Sequence, residues 1–147
     1  MSLSEKITED LKEAMKAKDG LRISCIRMLK SSLKNRQVEK GETLRDKDIQ
    51  SLISSLIRKG QEAATEFRKG GREDLAEKEE AEIKILYEYL PEQLKPDEIE
   101  RILKETISEL SVDSMKDLGK VMKVAMDRMA GRAQGKDVNE IARKLLS

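Results

Sequence analysis

The chain has 147 residues, of which 40% are charged, yet its formal net charge is only +1. It contains no His and no Trp, a single Cys, one Phe and two Tyr. Because His is the commonest acid/base near neutral pH and one Cys supplies neither a zinc site nor an internal disulfide, this composition excludes most catalytic, metal-binding and disulfide-rich classes.

Apolar residues recur with a helical period and no stretch alternates as a strand would, so the sequence predicts an all-α protein. A first helix is predicted to begin at a capping box of Ser2 and Glu5 and to end at Asp19-Gly20. A second helix follows over about 21–39 and ends at Gly41. The residues predicted to face inward are Ile7, Leu11, Ala14 and Met15, then Ile23, Ile26, Leu29 and Leu33.

The third and fourth helices form a predicted antiparallel pair. The third, with the strongest amphipathic pattern, should start at Asp46 as N-cap and end at Gly70-Gly71. The fourth should span about 73–89 and stop at Pro91. Their predicted inward faces are Ile49, Leu52, Ile53, Leu56, Ala63, Ala64 and Phe67, then Leu75, Ile83, Leu86 and Leu90.

Three further helices are predicted after the two prolines. Pro96 suits the first turn of a fifth helix that runs to about Leu110. Ser114 and Asp117 offer a cap for a sixth helix that ends near Met129. A seventh helix is predicted to be capped by Asp137 and Glu140 and to reach the end of the chain.

These elements predict two domains separated at the prolines. Residues 1–91 form an N-terminal domain of four helices, arranged as two antiparallel pairs because the connecting loops are short. Residues 96–147 form a small C-terminal domain of three helices, which is marginal in size for a domain that folds alone.

The charges fall in blocks. Residues 1–72 carry 17 basic and 11 acidic side chains, residues 73–114 carry 5 and 14, and residues 115–147 carry 8 and 4. Two interpretations stay open, namely solvated faces that screen one another and a bipolar surface whose cationic side attracts a polyanion.

The basic C-terminal block supplies the candidate site. Gly131 and Gly135 permit a close backbone approach, and the first amides of the last helix add partial positive charge beside them. An ordinary interhelical turn and a solvated lysine face are the alternative. The candidate RNA-binding residues are Lys116, Lys120, Lys123, Arg128, Gly131, Arg132, Gly135 and Lys136.

No catalytic residue, metal site or cofactor is predicted. Cys25 lies beside an apolar stripe without a His to activate it, so we expect it to be buried and structural. The acidic fourth helix is more typical of a solvated helix with local ion pairs than of paired catalytic carboxylates. The tyrosines near the domain boundary are expected to pack there.

The sequence also suggests a location. One Cys requires no oxidising compartment, residues 1–16 lack the apolar core of a signal peptide, and the longest uncharged run is residues 49–57. That run is far shorter than the roughly 20 residues of a membrane span. We therefore expect a soluble cytoplasmic protein without a membrane partner.

Several motifs, in this order along the chain, resemble those of the YqeY family. They are Arg72-Glu73-Asp74-Leu75-Ala76, Leu90-Pro91-Glu92-Gln93-Leu94, Leu118-Gly119-Lys120-Val121-Met122 and Gly131-Arg132-Ala133-Gln134-Gly135-Lys136. The resemblance implies the all-helical, two-part fold of the tail domain of the B subunit of tRNA-dependent amidotransferases. It further implies a tail that holds tRNA by its elbow, in a family associated with carbon–nitrogen ligation that uses glutamine as amido-N-donor.

Three functions are compatible with these patterns. The leading hypothesis is a non-catalytic module that binds folded tRNA, because single-stranded RNA is usually bound by more aromatic side chains than this chain has. The second is an adaptor that docks onto an amidotransferase or tRNA synthetase through the methionines of the sixth helix and the acidic helix. The third, ranked lowest, is a small enzyme of unrecognised chemistry.

Overall fold

A computed structural model describes all residues, 1–147, and consists of helices and turns without any strand. The all-α prediction is therefore confirmed. None of the helices combines the length and the apolar composition that crossing a membrane requires. The seven α-helices are α1 Leu3–Lys16, α2 Gly20–Lys40, α3 Asp46–Lys69, α4 Glu73–Tyr87, α5 Pro96–Leu110, α6 Leu118–Met129 and α7 Gly135–Leu146.

Local capping signals place several helix ends as the sequence predicts. The Ser2 side chain accepts a hydrogen bond from the backbone N–H of Glu5 at 3.1 Å, which satisfies one of the free amides of α1. Asp19, which was predicted only to end α1, accepts in the same way from the N–H of Arg22 and caps α2. Gly41 ends α2 in the left-handed conformation, at φ 76°.

Two predicted caps are wrong. Asp46 is the first residue of α3 and Arg45 precedes it as N-cap, while the Asp48 carboxylate accepts from the Arg45 N–H at 3.0 Å. Asp137 lies inside the first turn of α7, which begins at Gly135. In both places the negative charge of an acidic residue in the first turn interacts favourably with the partial positive charge at the helix N-terminus, although the residue does not occupy the cap position.

Two other boundaries are shifted. Helix α4 ends at Tyr87, two residues before the predicted end, and α6 is preceded by a 3-10 turn over Met115–Asp117. Helix α6 then reaches Met129, as predicted. Such shifts of one or two residues occur where a helix tightens or frays at its end.

The chain divides into two compact units, the first of which spans Met1–Leu90 and holds α1 to α4. Helix α3 packs along α4, and α1 packs along α2. Ile23, Leu33 and Leu75, predicted to face inward, are only half-buried, and so is Phe67. The buried core consists of Ile7, Cys25, Ile26, Leu29, Ile49, Ile53, Ile57, Ile83, Ile85, Leu86, Tyr89 and Leu90.

The second unit spans Pro91–Ser147 and holds α5, α6 and α7, each of which packs against the other two. Its core is separate from that of the first unit and shares no residue with it. The buried core residues are Ile99, Leu103, Val121, Ala125, Met129, Ala133, Val138, Ala142 and Leu146.

Candidate nucleic-acid interface

Helix α6 has an apolar face and a cationic face, as its sequence period predicts. Val121, Ala125 and Met129 are buried in the core of the second unit, whereas Lys120 and Lys123 are exposed. The 3.6-residue period therefore places the lysines on the side of α6 that faces solvent.

The methionines of α6 belong to the core. Met129 is fully buried, and Met122 and Met126 are half-buried and pack against the same cluster. Only Met115, which precedes α6, is exposed among the methionines of this unit. Of the three methionines on which the adaptor hypothesis depends, only Met129 is fully buried.

Four lysines of the candidate site carry unpaired charge. The salt bridges of the second unit join Lys104 to Glu100 and Arg128 to Glu109, and the candidate lysines take part in neither. All four candidate lysines are exposed. We call Lys116, Lys120, Lys123 and Lys136 the lysine row.

Arg128 differs from the lysine row because its guanidinium is engaged inside the unit. It donates to the carboxylate of Glu109 and, at 3.2 Å, to the hydroxyl of Thr106, a fully buried residue. Thr106 in turn donates to the carbonyl of Ile102 at 2.8 Å. Arg128 therefore ties α6 to α5, and its charge is partly neutralised.

The loop after α6 is a constrained turn. Ala130 and Gly131 are both left-handed, at φ 48° and φ 80°. The carbonyl of Gly131 accepts from the side-chain amide of Gln93 at 3.0 Å, and the carbonyl of Arg132 accepts from the N–H of Leu94 at 2.7 Å. The turn itself accounts for Gly131, because a left-handed position strains residues that carry a Cβ.

The side chain of Arg132 makes a third contact with the same segment, donating to the carbonyl of Glu92 at 3.2 Å. The motifs at residues 90–94 and 131–136, on which the family resemblance rests in part, are thus joined by hydrogen bonds. Gly135 has open space where a Cβ would lie, so no protein contact requires glycine there.

The N-terminus of α7 offers backbone donors without a side-chain cap. Gln134 occupies the N-cap position but its side chain accepts no capping hydrogen bond. Gln134 is buried, and its side-chain nitrogen has no hydrogen-bond partner. The amides of the first turn, beside exposed Lys136, create a locally positive end that favours anions.

Of the groups considered for catalysis, Cys25 is buried in the structure and two acidic residues of α4 are paired with an arginine. Cys25 is buried, as predicted, and its thiol donates to the carbonyl of Glu82 at 3.7 Å. Burial raises the pKa of Cys25 to about 12, so the thiol stays protonated near neutral pH. On the acidic α4, Glu73 and Glu80 pair with Arg68, which lies on α3, so these ion pairs join two helices and are not local to α4.

A cleft of about 460 Å³ in the first unit brings several carboxylates together, but most of them are engaged. Asp10 accepts from the hydroxyl of buried Tyr89 at 2.7 Å. Glu88 receives two hydrogen bonds from Arg22, at 3.2 and 3.0 Å. Glu88 is thus paired with a cation and Asp10 with a neutral hydroxyl, and Tyr89 is buried, as predicted.

A second basic element was missed by the sequence interpretation. Helix α2 contains six Lys or Arg residues and a single acidic residue, Glu39. Arg22 and Lys40 are paired with carboxylates, whereas Arg27, Lys30 and Lys34 form no salt bridge. The composition of α2 is a signal that could have revealed this basic helix.

The architecture is all-helical and forms two compact units, and four lysines of the second unit are exposed and take part in none of its salt bridges. The family model described as Yqey-like protein matches residues 4–146, so the chain belongs to the YqeY family. The resemblance noted from the motifs is therefore confirmed.

Curated relatives carry the name altered inheritance of mitochondria protein 41, mitochondrial. The protein of Lachancea thermotolerans is 42% identical over 85 residues, which are 57% of this chain and 46% of the relative. The protein of Kluyveromyces lactis is 41% identical over 88 residues, which are 56% of this chain and 45% of the relative. The protein of Pyrenophora tritici-repentis is 30% identical over 130 residues, which are 87% of this chain and 71% of the relative. The match thus spans about half the length of the first two relatives.

These names correct the expected location. Cytoplasmic localisation was wrong, because the similar proteins are named as mitochondrial. The expectation depended on cysteine content and on the lack of an apolar segment, and neither property distinguishes one non-oxidising compartment from another.

Proposed function

We propose that the protein is a non-catalytic module that binds folded tRNA through its C-terminal unit. In this proposal the four-helix N-terminal part and the three-helix C-terminal part act as two domains. The RNA is held near its elbow, as the resemblance to the amidotransferase tail implies.

The observation that carries the proposal is the lysine row. Its four side chains are exposed and outside the salt bridges of their unit, so their charges are available to an external anion. Phosphate contacts by such side chains release counterions and provide affinity without reading base sequence. Arg132 is also exposed, in the turn after α6, and the first amides of α7 follow it closely in the chain.

Recognition by shape and phosphate fits the aromatic content of the chain. Tyr89 is buried and Tyr87 and Phe67 are half-buried, so the three aromatic side chains do not form an exposed stacking platform. Exposed lysines without exposed aromatic side chains are better suited to a folded RNA than to a single strand.

The proposal assigns the chemistry to a partner. In the proposed arrangement, an amidotransferase or tRNA synthetase carries out the reaction, which for this family is carbon–nitrogen ligation with glutamine as amido-N-donor. The module would hold the RNA while the partner acts on its aminoacylated end.

The test is binding of bulk tRNA at two salt concentrations to the wild type and to a variant of the lysine row. We expect affinity to fall steeply with salt in the wild type. In the variant we expect weaker binding, with a logarithmic salt slope reduced by about one per lysine that contacts phosphate. The variant is Lys116→Ala, Lys120→Ala, Lys123→Ala and Lys136→Ala combined.

A matched control removes the same number of positive charges from exposed lysines elsewhere. Wild-type affinity in this control, together with loss in the variant of the lysine row, would locate the interface on the C-terminal unit. Equal losses in both variants, or binding that is insensitive to salt, would contradict the proposal. The control, which lies entirely in the first unit, is Lys12→Ala, Lys59→Ala, Lys78→Ala and Lys84→Ala combined.

A further inference from the structure

A cleft of about 570 Å³ lies in the first unit, between α1 and the C-terminal half of α2. Its volume is in the range of pockets that hold small molecules. Its lining combines apolar side chains with lysines and hydroxyls. It lies in the other unit from the lysine row and is not part of the proposed RNA interface.

The apolar side of the cleft is formed by Ile7, Leu33 and Val38. Ile7 is buried, Leu33 is half-buried, and Val38 is 74% exposed. Val38 is thus an aliphatic side chain left in water beside an apolar surface. A ligand with an alkyl portion would remove this surface from water.

The polar side of the cleft carries a cation that the protein does not neutralise. Lys30 Nζ donates to the hydroxyl oxygen of Thr8 at 3.0 Å, and the Thr8 hydroxyl donates to the carbonyl of Ser4 at 3.1 Å. An ammonium has three N–H donors, and this contact uses one of them, on a neutral acceptor. Lys30 is half-buried, so its charge is concentrated towards the cleft.

The charge balance of the cleft is positive. Lys34 also lines the cleft and forms no salt bridge. The carboxylate that lines the cleft, Glu42, lies 3.5 Å from Lys40 Nζ and is paired with it. Lys40 is itself bonded to Asp48 at 2.8 Å. These pairs leave Lys30 and Lys34 as the uncompensated charges.

We propose that this cleft binds a small amphipathic anion, with its anionic head on Lys30 and the Thr8 side and its alkyl chain along Leu33 and Val38. The inference combines an apolar base with a half-buried ammonium whose only protein partner is a neutral hydroxyl. It requires neither RNA nor the lysine row, so it stands or fails independently of the proposed function.

The test uses octanoate as the probe and the full-length protein. Octanoate is titrated into the protein, and binding is monitored by calorimetry and by NMR chemical-shift changes of the Val38 and Leu33 methyl groups and the Thr8 amide. We expect saturable binding with the largest shifts at these three residues. We expect 1-octanol, which lacks the charge, and acetate, which lacks the chain, to bind at least about tenfold more weakly.

Variants separate the cleft from other sites. Lys30→Met keeps the length of the side chain but removes the charge, and Val38→Ser removes the apolar contact, so each should weaken octanoate binding at least about tenfold. Lys30→Arg should retain binding. Lys59→Met, an exposed lysine outside the cleft, is the matched control and should bind as the wild type does.

Thermal unfolding of each variant checks that it is folded before binding is compared. Absence of saturable octanoate binding would overturn the proposal. So would unchanged affinity in folded Lys30→Met, or shifts that centre on residues away from the cleft.

Discussion

At the scale of single residues, burial sets the chemistry of Cys25. The side chain is 1% exposed and lies in the core of the first unit with Ile26 and Leu29. Desolvation is the largest cause of its raised pKa, and the charge of Glu82 adds to it. The lone cysteine therefore behaves as a small apolar residue with a weak donor.

This environment predicts a loss of stability at alkaline pH. The folded thiol stays neutral up to about pH 12, whereas an ordinary thiol ionises near 9.0. The stabilising contribution is therefore complete below about pH 9 and is lost progressively up to about pH 12. Over that window the free energy of unfolding should fall more steeply in the wild type than in Cys25→Ala, by up to about 1.4 kcal/mol per pH unit.

Urea denaturation at pH 8, 9.5 and 11 measures this difference. Tyr89, whose pKa is raised chiefly by burial, contributes in the same direction but equally in both proteins, so it cancels from the comparison. Parallel stability curves for the two proteins would show that Cys25 does not carry the effect.

At the scale of secondary-structure elements, the end of α6 contains two consecutive left-handed residues, of which only one is glycine. Ala130 at φ 48° bears the steric cost of a Cβ in this conformation, and Gly131 at φ 80° does not. The turn is retained because hydrogen bonds to Gln93 and Leu94 hold its carbonyls.

Substitutions at these two positions should have opposite signs. Ala130→Gly relieves the strained position and should stabilise the protein by about 0.5–1 kcal/mol, less than the full cost because glycine also loses more entropy on folding. Gly131→Ala should destabilise it by about 1–2 kcal/mol. Chemical denaturation measures both, and two changes of the same sign would refute the assignment of strain.

A second element-scale constraint is the close approach of α3 and α4 at Gly60. A Cβ at this position would lie 3.0 Å from Ile83 Cγ1 and 3.1 Å from Ile83 Cδ1. Glycine in a helix interior is otherwise unfavourable, so its presence here follows from interhelical packing.

A double-mutant cycle tests this explanation. Gly60→Ala should destabilise the wild type by about 1–2 kcal/mol through overpacking. In an Ile83→Ala background, which removes both crowded atoms, the same change should stabilise by up to about 1 kcal/mol through helix propensity. Additive effects of the two substitutions would mean that Ile83 does not determine the cost.

At the scale of the whole molecule, the boundaries between blocks of charge do not coincide with the boundary between the two buried cores. The net charge of +1 conceals a basic α2, an acidic stretch over residues 73–114 and the lysine row. Each unit nevertheless has its own buried cluster. A protein can thus present a local cationic surface while its overall charge is close to zero.

Separate cores predict different behaviour of the two units as fragments. Residues 1–90 retain all the side chains of their core and should fold cooperatively when expressed alone. Residues 91–147 are near the size at which a single core becomes marginal, so this fragment should be much less stable. Circular dichroism with thermal melting of both fragments measures this, and an unfolded 1–90 fragment would contradict the prediction.

The sequence by itself determined the helical class, the cap at Ser2, the proline start of α5 and the sidedness of α6. These features depend on residues within one or two turns of each other, so a linear pattern contains them. Family membership also followed from motifs that can be read along the chain.

Only the tertiary structure decided which charges remain available. Arg128 and Lys120 look equivalent in the sequence, but Arg128 is engaged by Glu109 and Thr106 on another helix. The role of Gly60 and the cleft beside Lys30 likewise depend on which helix faces which. The physical reason is that packing and ion pairing join residues far apart in the chain, and helix periodicity does not specify those partners.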